Sequence, residues 1–102
     1  MVEPIRCLLN SSTRNAITVN EYKLKTGKHI TEIITKMGDE NSIREIYKDA
    51  LGYPEKVVDK VFGQIETYYP SQSGIVRRNA EGKEKLIPNM TMEKLTNLQD
   101  II

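Results

Sequence analysis

The most regular feature of this sequence is the spacing of apolar residues between Ser42 and Leu51. They recur every three or four positions, as along one face of an α-helix, at Ile43, Ile46, Tyr47, Ala50 and Leu51. Ser42 and Glu45 match a capping box, in which each side chain satisfies a free amide at a helix start. Gly52 tolerates the left-handed backbone just past a helix end. The pattern therefore predicts a helix over Ser42–Leu51.

Two further segments show a helical spacing of apolar residues. Pro54 suits the first position of a helix, and the apolar stripe that follows it predicts a helix over Pro54–Tyr69. A shorter stripe predicts a helix of about His29–Met37, which Gly38 ends. Residues 5–9 and 16–24 look extended, although the second of these segments is alternatively helical from Asn20.

The C-terminal third of the sequence carries hairpin signals. Apolar residues at 75–79 and 83–87 flank a turn in which Gly82 supplies a positive φ, so a β-hairpin is predicted there. Thr91 is a candidate N-cap for a last helix. That helix would carry its apolar residues on one side, at Met92, Leu95, Leu98 and Ile102.

Length and composition favour one small non-enzymatic domain. The 102 residues fit a single domain over 1–102. Cys7, the single cysteine, cannot form an internal disulfide and lies in an apolar run that suggests a core position. No signal peptide or long apolar span is visible, which favours the cytoplasm. His29 is the single histidine, and neither a zinc-binding spacing nor a catalytic pair is found, so we expect no enzyme activity, no metal and no cofactor.

The run from Tyr47 to Val61 resembles the helix-turn-helix signature of DNA-binding proteins. Its apolar positions are filled by Tyr47, Leu51, Tyr53, Val58 and Val61, and Gly52 stands at the turn. Lys48 departs from the pattern, which usually has alanine between the two helices. The following hairpin resembles the wing of winged-helix proteins. The resemblance implies an α+β winged helix-turn-helix fold with a three-helix core, a hairpin wing, an N-terminal extended segment and a C-terminal helix.

The charge distribution indicates which residues would contact DNA. Residues 38–69 hold four basic and seven acidic residues, whereas residues 74–88 hold four and two, and residues 1–37 hold six and three. Because cations on a DNA-binding surface displace condensed counterions, we expect the hairpin and the N-terminal segment to dominate, with the helix at 54–69 contributing less. The candidate DNA-binding residues are Arg77, Arg78, Asn79, Lys83, Lys85, Arg14, Lys23, Lys25, Lys28, Lys56, Lys60 and Gln64.

With the basic wing residues Arg77, Arg78, Lys83 and Lys85, the inferred architecture is similar to the TcpK-like relaxosome accessory proteins of clostridial conjugative plasmids. The resemblance implies a homodimer that binds double-stranded DNA at a transfer origin, with a relaxase or another conjugation protein as partner. Two alternatives stay open. One is a transcriptional regulator of a plasmid or phage, and the other is a protein-interaction module without DNA contact, whose partner surface would be the acidic segment 38–69.

Overall fold

Residues 6–96, which a computed structural model describes, form eight β-strands and one short helix. The strands are β1 (Arg6–Arg14), β2 (Ile17–Leu24), β3 (His29–Met37), β4 (Glu40–Lys48), β5 (Pro54–Val61), β6 (Gln64–Ser71), β7 (Gly74–Arg78) and β8 (Glu84–Pro88). The helix is α1 (Met92–Leu95). No helix within residues 6–96 has the length and apolarity needed to span a membrane.

All eight strands belong to one antiparallel sheet whose spatial order follows the chain order, β1 to β8. Consecutive strands are joined by tight turns, which keeps every connection short. Between β5 and β6, for example, Val61 pairs with Gln64, and only Phe62 and Gly63 form the turn. Both of these residues have positive φ values, +51° and +77°, a geometry that matches the twist of the flanking strands.

The predicted winged helix-turn-helix fold is wrong. The segments predicted as helices, His29–Met37, Ser42–Leu51 and Pro54–Tyr69, form β3, then most of β4 with the turn after it, and then β5 and β6. The residues from Tyr47 to Val61 therefore form a strand, a turn and a second strand. These segments are rich in isoleucine, valine, threonine and tyrosine, whose side chains pack well on a pleated sheet.

Other predicted elements are present. The hairpin predicted at 75–79 and 83–87 forms β7 and β8, and Gly82 has a φ of +85°. Thr91 caps α1 by accepting a hydrogen bond from the Lys94 amide at 3.1 Å. Met92 and Leu95 lie in this helix, whereas Leu98 and Ile102 lie outside the described residues. Ile5, the first residue of the segment predicted to be extended at 5–9, also lies outside them.

One face of the sheet, here called the core face, holds the main hydrophobic cluster. Alternation along β3, β4, β5 and β7 brings Ile33, Ile46, Val57 and Ile75 together, each at most 2% exposed. Met92 of α1 packs against this cluster. The C-terminal segment therefore covers the core face.

The opposite face, here called the tyrosine face, carries Tyr22, Tyr47 and Tyr69. Ile30 and Glu45 are buried on it although α1 lies on the other side. Arg6 of β1 reaches Glu45 of β4, with two strands between them. The sheet therefore curls toward the tyrosine face at its N-terminal edge.

Because β1 is an edge strand, all of its residues are exposed, including Cys7. The prediction that Cys7 lies in the core is therefore wrong.

Candidate nucleic-acid interface

Three of the four cations of the predicted wing, Arg77, Arg78 and Lys83, are paired with carboxylates. The Arg78 guanidinium donates to Glu84 from Nε at 3.0 Å, and Nε of Arg77 lies 3.7 Å from a Glu66 oxygen. Hydrogen bonding to Glu84 raises the pKa of Arg78 further above its ordinary range. Nζ of Lys83 lies 3.9 Å from Glu81. The hairpin thus presents less unbalanced positive charge than its sequence suggests.

Asn79 has a local structural role in the turn of the same hairpin. Its side-chain oxygen accepts hydrogen bonds from the Glu81 and Lys83 amides, both at 3.0 Å. Such a bond to residues further along the chain is typical of asparagine in turns. The side-chain oxygen of Asn79, one of the predicted DNA-binding residues, is therefore engaged within the hairpin.

The twelve candidate DNA-binding residues do not form one surface. By strand alternation and register, Arg14, Lys23, Gln64, Arg77 and Lys85 lie on the core face. Lys56, Lys60 and Arg78 lie on the tyrosine face. The remaining four lie in or beside turns, at Lys25, Lys28, Asn79 and Lys83. No single flat contact can engage all twelve residues.

Three basic side chains meet in one cross-strand row at the end of the sheet that holds the β2–β3 turn. Lys23 of β2 is opposite His29 of β3, and His29 is opposite Lys48 of β4. Lys25 lies in the adjoining turn, and we call these four residues the lysine end. Within residues 6–96, none of its three lysines forms an ion pair.

Lys28 and two carboxylates near the lysine end, Glu55 and Asp49, have other partners. Lys28 pairs with Glu55 at 3.1 Å, so its charge is balanced. Asp49 accepts hydrogen bonds from the Leu51 and Tyr53 amides, both at 2.9 Å. Glu55 and Asp49 thus have partners other than the three lysines of the lysine end.

Two clefts flank the row and make it concave. One, of about 390 Å³, is lined by Cys7, Lys23, Leu24 and Lys25. The other, of about 500 Å³, is lined by Lys48 and Glu93 together with Ile46, Gly52, Tyr53, Pro54, Met92 and Thr96. All three lysines of the lysine end therefore line a cleft, and Lys23 and Lys25 are exposed to solvent.

Sequence reasoning missed that His29 and Lys48 belong with Lys23. His29 was expected to be an exposed residue at a helix start and is half-buried within β3. Lys48 was expected between two helices. The register between β2, β3 and β4 brings them together, and the sequence carries no direct signal of that register.

On the tyrosine face, Glu45 is the centre of an ionic cluster. It lies 3.1 Å from Arg6 and 3.2 Å from Lys60, and its own side chain is 4% exposed. Burial alone would raise the pKa of Glu45, but Lys60 and Arg6 outweigh it and hold the pKa below the ordinary value. Lys60, predicted to contact DNA, is therefore already engaged within the protein.

Each tyrosine that defines this face has a cation over its ring. Arg6 lies 5.7 Å from the ring centre of Tyr22, and Lys56 lies 4.5 Å from that of Tyr47. Arg78 lies 5.4 Å from the ring centre of Tyr69. Such cation–π contacts combine positive charge with flat apolar rings.

The fold and these surfaces define a small antiparallel-sheet protein with one basic end and one face of tyrosines paired with cations. Within residues 6–96, no group of histidine, cysteine, aspartate or glutamate residues has the arrangement needed to hold a metal ion. The chain matches no protein-family model, no curated protein sequence and no solved structure.

Proposed function

We propose that this protein binds DNA, and that its lysine end contacts the phosphate backbone. The observation that carries the proposal is the row of Lys23, His29 and Lys48, whose lysines have no carboxylate partner within residues 6–96. Basic side chains placed opposite one another across strands repel when charged, and an anionic ligand relieves that repulsion. The wing, which the sequence favours as the main contact, is the weaker candidate because carboxylates neutralise its arginines.

The spacing of the row suits a phosphate backbone. Lys23 and Lys48 stand on strands separated by β3, which places their backbones about 10 Å apart. One strand of duplex DNA carries a phosphate about every 3.4 Å along the helix axis. The row is therefore long enough to contact neighbouring phosphates of one strand, and Lys25 extends it into the turn.

The experiment compares two triple variants that each remove three positive charges. One changes the lysine end, Lys23→Ala, Lys25→Ala and Lys48→Ala, and the matched control changes the hairpin, Arg77→Ala, Arg78→Ala and Lys85→Ala. DNA affinity is measured by fluorescence anisotropy at several salt concentrations. Each phosphate contact contributes about 0.9 to the slope of log affinity against log salt. The first variant removes three lysines, so we expect its slope to fall by up to about 2.7 and its affinity to fall at least about tenfold.

We expect the hairpin variant to keep most of the wild-type affinity and slope. Equal losses in the two variants would show that only total charge matters, and a larger loss in the hairpin variant would favour the wing. If the wild type binds no DNA even at low salt, the proposal is wrong. Circular dichroism of each variant confirms that both remain folded.

The biological roles suggested by the sequence resemblance stay predictions. They include assistance of a relaxase at a transfer origin, transcriptional regulation and homodimer formation.

A further inference from the structure

The three tyrosines of the tyrosine face lie in one cross-strand row. Tyr22 is opposite Ile30, Ile30 is opposite Tyr47, and Tyr47 is opposite Lys56. The pairing of Val57 with Tyr68 places Tyr69 next along the same row. Each ring is half-buried and therefore keeps an accessible part. Because the tyrosines stand on alternate strands, neighbouring rings are about 10 Å apart.

The tyrosine row adjoins the lysine end. Tyr22 precedes Lys23 in β2, and Tyr47 precedes Lys48 in β4, so each pair lies at the same end of the sheet with its two side chains on opposite faces. A chain that crosses this end of the sheet meets lysines on one side and aromatic rings on the other. Phosphates suit the first surface, and planar bases suit the second.

The tyrosine face also has more basic than acidic side chains. Its strand positions carry five cations, Arg6, Lys36, Lys56, Lys60 and Arg78, and three carboxylates, Glu32, Glu45 and Glu84. Lys56, which lies over the Tyr47 ring, forms no ion pair within residues 6–96. A base stacked at Tyr47 would bring its phosphate near this ammonium group.

A duplex cannot use the tyrosine row, because its bases are stacked inside the double helix. A single strand exposes its bases, and proteins bind such strands by combining a positive groove with stacking on aromatic side chains. Resting on the proposed function, we infer that the preferred ligand is single-stranded nucleic acid, with its bases stacked on Tyr22 and Tyr47 and, in a longer strand, Tyr69.

The test compares a dT12 oligonucleotide with a duplex of the same length at low salt. The protein has five tyrosines and no tryptophan, so tyrosine emission reports directly on stacking. We expect tighter binding of dT12 and quenching of that emission. The double variant Tyr22→Leu, Tyr47→Leu should lose at least about fivefold in affinity for dT12 for each ring removed, while its affinity for the duplex stays unchanged.

Two control variants separate stacking from structure. Tyr22→Phe with Tyr47→Phe keeps both rings but removes the hydroxyl contacts with Glu32 and Glu45, and it should retain the affinity for dT12. Phe62→Leu removes an exposed aromatic ring from the β5–β6 turn, at the opposite end of the sheet from the lysine end, and should also bind as the wild type does.

Equal affinities for dT12 and duplex, both unaffected by the leucine substitutions, would overturn this inference and leave the proposed function standing. The inference would also be overturned if the leucine and phenylalanine variants lost the same affinity for dT12 and for the duplex. Such a result would indicate a structural effect of the substitutions. Absence of binding to either ligand would remove the proposed function itself, and this inference with it.

Discussion

Glu45 illustrates how a single residue decides the shape of the sheet. A carboxylate that is 4% exposed loses its hydration, and that loss is tolerable only with charged partners close by. Lys60 comes from the neighbouring strand β5, whereas Arg6 comes from β1, at the edge of the sheet. The carboxylate therefore joins the edge strand to the centre, which holds the curl toward the tyrosine face.

The substitution Glu45→Gln should lower the free energy of unfolding by about 2 kcal/mol at pH 7, because hydrogen bonds to a charged group are lost inside the protein. The pKa of Glu45 is lower in the folded protein than its ordinary value of 4.5. Its contribution is therefore complete above the unfolded pKa and disappears as the pH falls through the folded value.

Urea unfolding between pH 7 and pH 3 measures this effect. The difference in stability between wild type and Glu45→Gln should shrink as the solution becomes more acidic. Glu84→Gln is the matched control, since its pair with Arg78 is about half exposed, and it should cost less than about 1 kcal/mol. A Glu45→Gln effect that does not change with pH would contradict the assignment.

At the scale of elements, β4 shows why the sequence favours helices. A strand with one buried face alternates apolar and polar residues, but the centre of β4 is enclosed on both faces. Glu45 and Ile46 are both buried, and Arg44 on the core face pairs with Asp59 at 2.7 Å. Charged residues therefore occupy inward positions, the period of two is lost, and the remaining apolar residues fall at helical spacing.

The parts that sequence predicts well are those fixed by local chemistry. The β7–β8 hairpin, the positive φ of Gly82 and the Thr91 cap each depend on a few neighbouring residues. Lys23 and Lys25 are likewise identified as candidate DNA-binding residues from their positive charge alone. The row of Lys23, His29 and Lys48 depends on the pairing of β2, β3 and β4. Because the segments that form β3 and β4 are predicted as helices, this row could not be found from the sequence. The enrichment in β-branched residues was the available signal for strands.

Gly74, at the start of β7, is expected to be essential for pairing with β8. Its φ is +149°, and a Cβ there would lie 2.1 Å from the carbonyl oxygen of Ile87. Because that atom belongs to the backbone, it cannot move without disturbing the strand pair. Gly74→Ala should therefore lower the free energy of unfolding by about 3 kcal/mol or more, as measured by urea unfolding.

Gly82 provides the control within the same hairpin. It also has a positive φ, +85°, but an added Cβ would meet nothing within 4 Å. Gly82→Ala should cost only the conformational strain, about 1 kcal/mol. Similar losses for the two substitutions would show that the contact with Ile87 does not govern this hairpin.

At the scale of the whole molecule, residues 6–96 form one sheet with two unlike faces, and β1 and β8 are its edge strands. Edge strands invite pairing with other chains, and proteins commonly interrupt them. In β1 the register shifts between Leu8 and Asn10, which leaves Leu9 outside the regular pairing. Charge is also organised at this scale, because the net charge is only +1 while Lys23, Lys25 and Lys48, which form no ion pair within residues 6–96, lie at one end of the sheet. The arrangement of charge therefore argues for an anionic ligand more strongly than its total does.

The C-terminal segment completes the core of this single sheet. Met92, 8% exposed, belongs to the cluster whose other buried members come from β3, β4, β5 and β7, and α1 contacts β5. Met92→Ala should lower the free energy of unfolding by about 2 kcal/mol, the lower end of the cost of truncating a buried methionine. Glu93→Ala, at the exposed next position of α1, should change it by less than about 0.5 kcal/mol. If urea unfolding gave equal midpoints for the two variants, α1 would not be closing the core face in solution.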